Sequence, residues 1–536
     1  MSRPMPLSTP RPVGRPPARL PRRTLGPAGA GALALLAAGA VPAAAQSEIV
    51  ADELRIITLG LMAGLDPAHR TSASRLRCVG AAEGLLRITP QGGVEPELAL
   101  GYESVDPATW DVRLRPGVTF WSGAPLDAAA VVESLERARR LIPFAASQLQ
   151  GVRVEPVDAQ TVRFAADRPV PGLPIVLAGE WLVIHNAAAY GPLVNAFDVA
   201  ATDLTGPFRV TAFEPGAGAR FVRHAGYWGV TPRASRLALD EVTDVEARTL
   251  AALSGEAHVV RAVSPSSARQ LERSRAMRIE AIPSDSVWHV FLNARRPQLS
   301  DARVRQALAW AIDREEMVAQ AHDGWSVPAP SWLSTDPNYP EARRVGFVRQ
   351  DLTRANQLLD EAGWRLPPGG RVRSRDGTPL RFRVLWWGGL RPFAEVLQAQ
   401  WARAGVDLDV QGAPDYGFLS AKHAEGDWDA LIEGWGTFGD PATVLARQIA
   451  GAGDLNYAGL TDPGFEQLLA GFATLLDPEE RRQQALKINA RHAEVVPFIP
   501  VTQSLQLNAV NRTVRNYVPH FLPWVYEVHP DLWATQ

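Results

Sequence analysis

The chain has 536 residues, 46% of them hydrophobic and 21% charged, which excludes a wholly disordered protein, a collagen and a coiled coil. Its single cysteine, Cys78, excludes an internal disulfide framework and any zinc or iron–sulfur site built on several cysteines. The formal net charge of −2 does not favour nucleic acid as a partner, because binding phosphates requires a concentrated basic face.

Residues 1–45 have the three parts of a secretory signal peptide. They contain six arginines and no acidic residue, an apolar run at 28–41, and small residues before a predicted cleavage site after Ala45. The pair Arg22-Arg23 also fits a twin-arginine signal, with the general secretory route as the alternative. A membrane anchor is disfavoured because the apolar run is short and no basic flank follows it. We expect a periplasmic protein whose formal net charge changes from −2 to −8 when the six arginines are removed.

The first half of the remaining chain predicts an opening strand at 54–59 and then a small α+β unit. Strands are predicted at 111–114, 152–157 and 161–164 from alternating or β-rich patterns. Apolar residues recur at helical spacing over 127–139, with Asp127 at the N-cap position. The stretch 75–86 is also helix-like, and we interpret Cys78 within it as a small buried apolar residue, not a reactive thiol.

The second half alternates more regularly between helices and strands. A helix is predicted after Ser300, and another is capped by Asp351 and ended by Gly363. Strands are predicted at 382–386, 406–410 and 430–433, and a helix at 392–404. Because strand–helix–strand units favour parallel pairing, we expect ligands at the carboxyl ends of these strands.

Several segments, in a consistent order, carry a resemblance to one family. They are Leu65-Asp66-Pro67, Glu83-Gly84-Leu85, residues 110–120 with 122–126, Leu204 to Phe208, residues 301–308 with 311–314, and residues 358–364. Together they make residues 50–530 similar to the extracytoplasmic solute-binding proteins of ABC importers in the dipeptide/oligopeptide/nickel class, family 5. The chain has Leu204 where the family has the first glycine of a Gly-Thr-Gly-Pro-Tyr turn.

The resemblance implies an α/β, two-lobed periplasmic-binding-protein fold of type II, with an extra small α+β subdomain in the first lobe near residues 100–200. Residues 46–293 and 501–536 would form the first lobe, and residues 294–500 the second. Two crossover hinge segments, near 291–293 and 498–501, would join them. Closure of such lobes buries a polar solute, because a few terminal residues absorb the rotation.

The resemblance also places a ligand site at the carboxyl ends of two strands. The acid Asp440 would pair with a solute amine and Arg391 with a carboxylate, although Asp440 could be a helix N-cap and Arg391 a solvated loop charge. Aromatic side chains would supply contact area, although an aromatic residue in so large a protein is more often part of the core; the candidates are Trp435, Phe438, Trp386, Trp387, Trp288 and Trp121. The loop at 437–439 lacks an acid that peptide-binding members carry, which leaves a larger, less charged solute open.

We therefore expect a non-catalytic receptor that captures a small peptide or peptide-like solute and delivers it to the permease subunits of an ABC importer. A receptor for an oligosaccharide, opine, glutathione or metal chelate is the alternative within the class. An exported hydrolase has no supporting motif, since no nucleophile elbow, zinc-protease helix or Walker loop is present. A structural envelope protein would bind no small solute. We expect a monomer with no cofactor. We also expect no metal site, because the ten histidines show no ligand spacing.

Overall fold

The computed structural model describes residues 51–59, 62–69, 72–191, 194, 196–436, 441–453, 455–522 and 528–535. The predicted signal peptide lies outside these residues. Among the residues that are described, no helix combines the length and apolar character needed to cross a membrane.

One large mixed sheet runs through the protein. Its strands lie in the spatial order Phe208–Glu214, Gly218–Arg223, Arg236–Glu241, Glu53–Thr58, Val259–Val260, Phe498–Asn511, Met277–Leu292, Ala430–Trp435, Arg381–Trp386 and Asp407–Gly412, and Ser326–Pro328 pairs with Phe498–Asn511 outside this row. The predicted parallel pairing is confirmed, since Arg381–Trp386 runs parallel to both Asp407–Gly412 and Ala430–Trp435.

Two long antiparallel strands, Met277–Leu292 and Phe498–Asn511, occupy the middle of this sheet. Phe291 pairs with Phe498, so the two predicted crossover segments lie side by side. The pairing is interrupted where residues 284–286 lie opposite the single residue Ser504. Such a bulge bends a strand and redirects its side chains. The lobe boundaries placed at these segments stay a prediction.

Both faces of the sheet are covered by hydrophobic cores. The neighbours Ile56 and Ile57 belong to different cores, and so do Leu431 and Ile432 near the other end of the sheet. Because successive residues of a strand point to opposite faces, the sheet is buried on both sides at these two inner strands. This explains the continuous apolar runs in its strands.

A separate four-stranded antiparallel sheet forms the small α+β unit. Its strands lie in the order Ala99–Asp106, Thr109–Leu114, Thr161–Ala166 and Val152–Asp158. The helix Ala128–Leu141 packs against it, and the Asp127 carboxylate accepts a hydrogen bond from the amide of Ala130. The predicted strands, helix and N-cap of this unit are confirmed. An N-cap of this kind contributes about 1 kcal/mol.

The remaining elements connect and cover these sheets. The other helices are Ser72–Cys78, Pro143–Gln148, Leu173–Leu177, Ala187–Tyr190, Val245–Ser254, Pro265–Leu271, Ala302–Trp310, Arg314–Ala321, Leu352–Glu361, Arg391–Arg403, Tyr416–Glu425, Pro441–Val444, Pro463–Phe472 and Pro478–Val495, with a 3₁₀ turn at Pro340–Arg344 and a π turn at Leu445–Ile449. The short strand pairs are Glu83–Gly84 with Val183–Ile184, Leu86–Ile88 with Val94–Pro96, Ser374–Arg375 with Thr378–Pro379, and Val514–Arg515 with Trp533–Ala534.

The structure corrects one local prediction and refines two others. The helix-like stretch 75–86 is helical only to Cys78, because Gly80 adopts a left-handed conformation and Glu83–Gly84 pairs as a strand. The helix predicted after Ser300 is capped by Asp301, whose carboxylate accepts from the amide of Arg303. The strand predicted at 430–433 continues to residue 435. Cys78 is buried, as expected.

Candidate functional site

Four of the predicted aromatic residues, Trp288, Trp386, Trp387 and Trp435, lie in or next to strands of the central sheet, but they pack against different cores. Trp288 and Trp386 pack against one core of the sheet, whereas Trp387 and Trp435 pack against another. Trp386 and Trp387 are consecutive residues, and successive residues leave a strand toward opposite faces. The structure therefore distributes these four residues over two cores.

The segment Gly434-Trp435-Gly436 is shaped by close contacts with the neighbouring long strand. A Cβ atom at Gly434 would lie 2.9 Å from the ring of Trp288, and one at Gly436 would overlap the carboxylate of Asp285. Asp285 belongs to the bulge opposite Ser504 and is buried. Glycine is thus required at both positions because only a hydrogen atom fits there.

We expect Gly436→Ala to lower the free energy of unfolding by about 1–3 kcal/mol, the usual cost of forcing an extra carbon into a packed site. Gly389→Ala is the matched control, because a Cβ at Gly389 would meet no atom within 4 Å and its φ is not left-handed. Urea unfolding of both variants measures the difference. Equal stability of the two variants would contradict the assigned contact between Gly436 and Asp285.

The other predicted ligand residues occupy varied environments. Arg391 begins the helix Arg391–Arg403, donates from Nε to Glu395 at 2.8 Å, and has a side chain that is 71% exposed. Trp121 is buried in a core, and its Nε1 donates to the carbonyl oxygen of Gly206 at 2.9 Å. Asp440 and Phe438 lie outside the described residues. The ligand roles assigned to these residues stay predictions.

A cavity of about 390 Å³ opens at the bulge between the two long strands. Its lining comes from the ends of Glu53–Thr58 and Val259–Val260, from both long strands, and from the segment that leads into Ser326–Pro328. Of the predicted site residues that the structure describes, it includes only Trp288. Its volume falls within the range of about 300–1,000 Å³ that is typical of ligand pockets.

Sequence reasoning missed most residues of this cavity. Arg261, His322, Trp325 and Ser326 line it together with polar residues of 504–508. One signal was available for Arg261, which directly follows Val259–Val260, a strand parallel to Glu53–Thr58. The rule that ligands bind at the carboxyl ends of parallel strands therefore applies to the first half of the chain as well. Nothing in the pattern around Ser326 marks it as a lining residue.

The cavity has a simple electrostatic character. Arg261 is the only charged side chain among the described residues that line it. Burial lowers the pKa of His322 to about 4, so its imidazole is neutral at neutral pH, and its Nε2 lies 3.1 Å from the hydroxyl of Thr502. The hydroxyl of Ser326 is buried and has no hydrogen-bond partner among the described residues.

Two acidic side chains, Asp285 of the bulge and Glu180, lie close enough to interact electrostatically. Burial raises the pKa of Glu180 to about 7; the charge of Arg75 opposes that rise and the charge of Asp285 adds to it. The carboxylate of Asp285 fills the space that a side chain at Gly436 would occupy. Among the described residues, no group of three or more histidine, cysteine, aspartate and glutamate side chains is arranged to hold a metal ion.

Comparisons with known proteins agree on one family. Residues 93–456 match the family described as bacterial extracellular solute-binding proteins, family 5 Middle. The nickel-binding protein NikA of Staphylococcus aureus (strain NCTC 8325 / PS 47) is 22% identical over 445 residues, which are 82% of this chain and 86% of that protein. The dipeptide-binding protein of Escherichia coli (strain K12) is 24% identical over 374 residues, which are 68% of either chain.

A solved structure of a nickel ABC transporter from Bacillus halodurans matches with a TM-score of 0.78 at 24% identity, and the match covers 90% of this chain and 100% of that one. This likeness confirms the predicted α/β, two-lobed fold class. The family match spans well over half of the sequence. This chain therefore belongs to the bacterial extracellular solute-binding proteins of family 5.

Proposed function

We propose that this protein is a non-catalytic receptor that captures a small peptide or peptide-like solute and delivers it to the permease of an ABC importer. The observation that carries the proposal is the cavity of about 390 Å³ at the bulge, in a chain of this family. Its walls combine residues before and after the predicted crossover near 291–293, such as Arg261 and Ser326. A solute held there would touch both predicted lobes.

The chemistry of the region suits a solute that carries several carbonyl groups. Outside the cavity lining, the indole Nε1 atoms of Trp386 and Trp435 are buried and have no hydrogen-bond acceptor among the described residues. Each can donate to a carbonyl oxygen, as the hydroxyl of Ser326 can. Aromatic walls with a few polar groups are typical of small-molecule sites. The second candidate solute is a metal chelate, which is favoured by the similarity to a nickel-binding protein.

The proposed mechanism is closure of residues 46–293 plus 501–536 onto residues 294–500. Contacts that the solute makes only in the closed form would shift an open–closed equilibrium toward closure. The permease would then recognise the closed surface. The signal peptide at 1–45 and the twin-arginine or general secretory route stay predictions, as does the monomeric state.

We expect one class of solute to raise the melting temperature of the purified protein, because a ligand that binds only the folded state stabilises it by mass action. The library would contain di- and tripeptides, glutathione, oligosaccharides, opines and nickel–histidine chelates. Small-angle scattering with the active solute should show a smaller radius of gyration if the lobes close. A stabilising solute that is recovered unchanged supports a receptor, whereas a reaction product would identify an enzyme. No stabilisation by any class would contradict the proposal.

A further inference from the structure

We propose that Arg314 is a positioning residue of this receptor. Its buried guanidinium holds the predicted crossover segment near 498–501 against the end of the strand Ser326–Pro328, and thereby keeps two walls of the cavity in their binding arrangement. This inference rests on the proposed receptor function and adds a residue that acts without touching the solute. Arg314 begins the helix Arg314–Ala321 and does not line the cavity.

The strand Phe498–Asn511 is irregular where Arg314 meets it. Trp288 pairs with Thr502 whereas His289 pairs with Pro500, so Val501 is an extra residue on this strand. An extra residue disrupts the ladder of hydrogen bonds and bends the strand. This second bulge lies in the predicted crossover segment, where a rotation of the two lobes would be absorbed. Its conformation therefore depends on contacts from outside the ladder.

Arg314 supplies such contacts. Its Nε donates to the carbonyl oxygens of Pro500 and Ala329 at 3.1 and 3.2 Å, and its Nη2 donates to the carbonyl oxygen of Pro500 at 2.7 Å. The amide of Ala329 donates in turn to the carbonyl oxygen of Val501 at 3.0 Å. One guanidinium thus joins the second bulge to the residue that follows Ser326–Pro328. Hydrogen bonds from a charged donor are roughly twice as strong as neutral ones.

Both segments that Arg314 holds continue directly into the cavity. Ser326 and Ser504 line the cavity, and they pair with each other across the two strands. The helix that begins at Arg314 ends at Ala321, and the next residue, His322, also lines the cavity. A shift of the second bulge would therefore move lining residues on two walls. Because a site that is fixed before binding need not be ordered by its ligand, Arg314 should raise the affinity for the solute.

A charged side chain at this position is unusual. Arg314 is 3% exposed, burial lowers its pKa to about 9, and its Nη1 is buried without an acceptor among the described residues. The charge of Asp313 opposes the fall in pKa, but the Asp313 carboxylate caps the helix by accepting from the amide of Glu316. Arginine is almost never fully buried unless it is paired. A role in binding accounts for this one, because the planar fork of donors holds two separate carbonyl groups at once.

Arg305 provides a matched control. It is 2% exposed and also donates to backbone carbonyl oxygens, at 2.6–3.1 Å, which belong to Leu299, Ser300, Val495 and Val496. These carbonyl groups lie before the crossover segment near 498–501, and neither they nor Arg305 belong to the described lining of the cavity. Replacing either arginine by lysine keeps the charge and removes the fork of donors. The two variants thus impose the same kind of loss at different places.

Hydrogen–deuterium exchange of the protein without solute, measured by mass spectrometry, tests whether Arg314 holds these segments. In Arg314→Lys we expect the amides at 326–329 and 501–504 to exchange about 10-fold faster than in wild type, because local opening becomes easier when hydrogen bonds are lost. Arg305→Lys should leave these amides unchanged and speed exchange near 495–497 instead. Unchanged exchange in Arg314→Lys would refute the proposal.

Affinity is the readout that a merely structural role would not move. Alanyl-phenylalanine, glutathione and a nickel–histidine chelate would be titrated by calorimetry. Each probe that binds wild type should bind Arg314→Lys about 10-fold more weakly and Arg305→Lys equally well. Equal affinities in the two variants would refute the role of Arg314 while the receptor function stands.

Two further outcomes are also decisive. If no probe binds wild type, the exchange experiment decides the role of Arg314, and the thermal-shift library decides the receptor function separately. Should Arg314→Lys fail to fold, Phe347→Leu takes its place, because it removes a ring whose centroid lies 5.9 Å from Cζ of Arg314. That variant should speed exchange of the same amides about 3-fold, the usual value of a cation–π contact. No change at those amides would refute the proposal.

Discussion

Replacing Arg137 by leucine is expected to lower the free energy of unfolding by about 3–5 kcal/mol, because the change leaves the buried carboxylate of Asp66 without its cation. The two side chains form a bidentate pair, with Nη1 and Nη2 donating to Oδ1 and Oδ2 at 2.8 and 2.7 Å. Both are almost fully buried, and Nε of Arg137 also donates to the carbonyl of Gly191. Urea unfolding followed by circular dichroism measures the loss.

A double variant tests whether the cost comes from the stranded charge. Asp66→Asn keeps an acceptor for the amide of Ala68 but removes the negative charge. Combined with Arg137→Leu, it should recover a substantial part of the lost stability, because a neutral group replaces the unpaired carboxylate. Arg153→Leu is the control, since its pair with Asp167 is exposed on both sides and should contribute nothing measurable. A double variant no more stable than Arg137→Leu would contradict this account.

Acid is expected to destabilise the protein steeply below about pH 6.5, the pKa of an unfolded histidine. Burial is the largest cause that lowers the pKa of five histidines: His289 and His492 to about 3, and His185, His322 and His520 to about 4. Below pH 6.5 the unfolded chain binds protons at these positions and the folded chain does not. The free energy of unfolding therefore falls as the pH drops from about 6.5 toward 3.

Four carboxyl groups act in the opposite direction, because burial raises the pKa of each of them; they are Glu83, Glu97, Glu180 and Glu241. Burial raises the pKa of Glu83 and of Glu180 to about 7, so the folded state binds the extra protons between about pH 4.3 and 7. Their contribution to stability grows as the pH falls through this window. Since the five histidines with a pKa of about 3 or 4 outnumber these four glutamates, the net effect of acid remains destabilising.

Single variants resolve the two contributions. His492→Gln should reduce the slope of unfolding free energy against pH by up to about 1.4 kcal/mol per pH unit below pH 6.5, since it removes one titrating base. Glu83→Gln should steepen the slope between pH 4.3 and 7. Urea unfolding at intervals of half a pH unit measures both slopes. An unchanged slope in His492→Gln would show that this histidine does not titrate differently on folding.

Local sequence patterns predicted the secondary structure well where short-range physics decides it. Asp127 and Asp351 cap their helices through side-chain hydrogen bonds to nearby amides, and Gly363 adopts the left-handed conformation that ends a helix. The errors arose where distant contacts override the pattern. Helical spacing over 75–86 gives way to a strand because Glu83–Gly84 pairs with Val183–Ile184, about a hundred residues away.

The family and its two-lobed fold followed from the sequence by itself, because whole segments resembled one class of receptor in a consistent order. The identity of the cavity residues did not. Arg261 and Ser326 are 65 positions apart, and only the pairing of several strands with Phe498–Asn511 brings them to one cavity. The core that Trp386 packs against, and the different core that Trp387 packs against, also depend on which elements cover each face of the sheet. Sequence patterns fix what is local, whereas a binding site is an arrangement of distant residues, and only tertiary packing decides it.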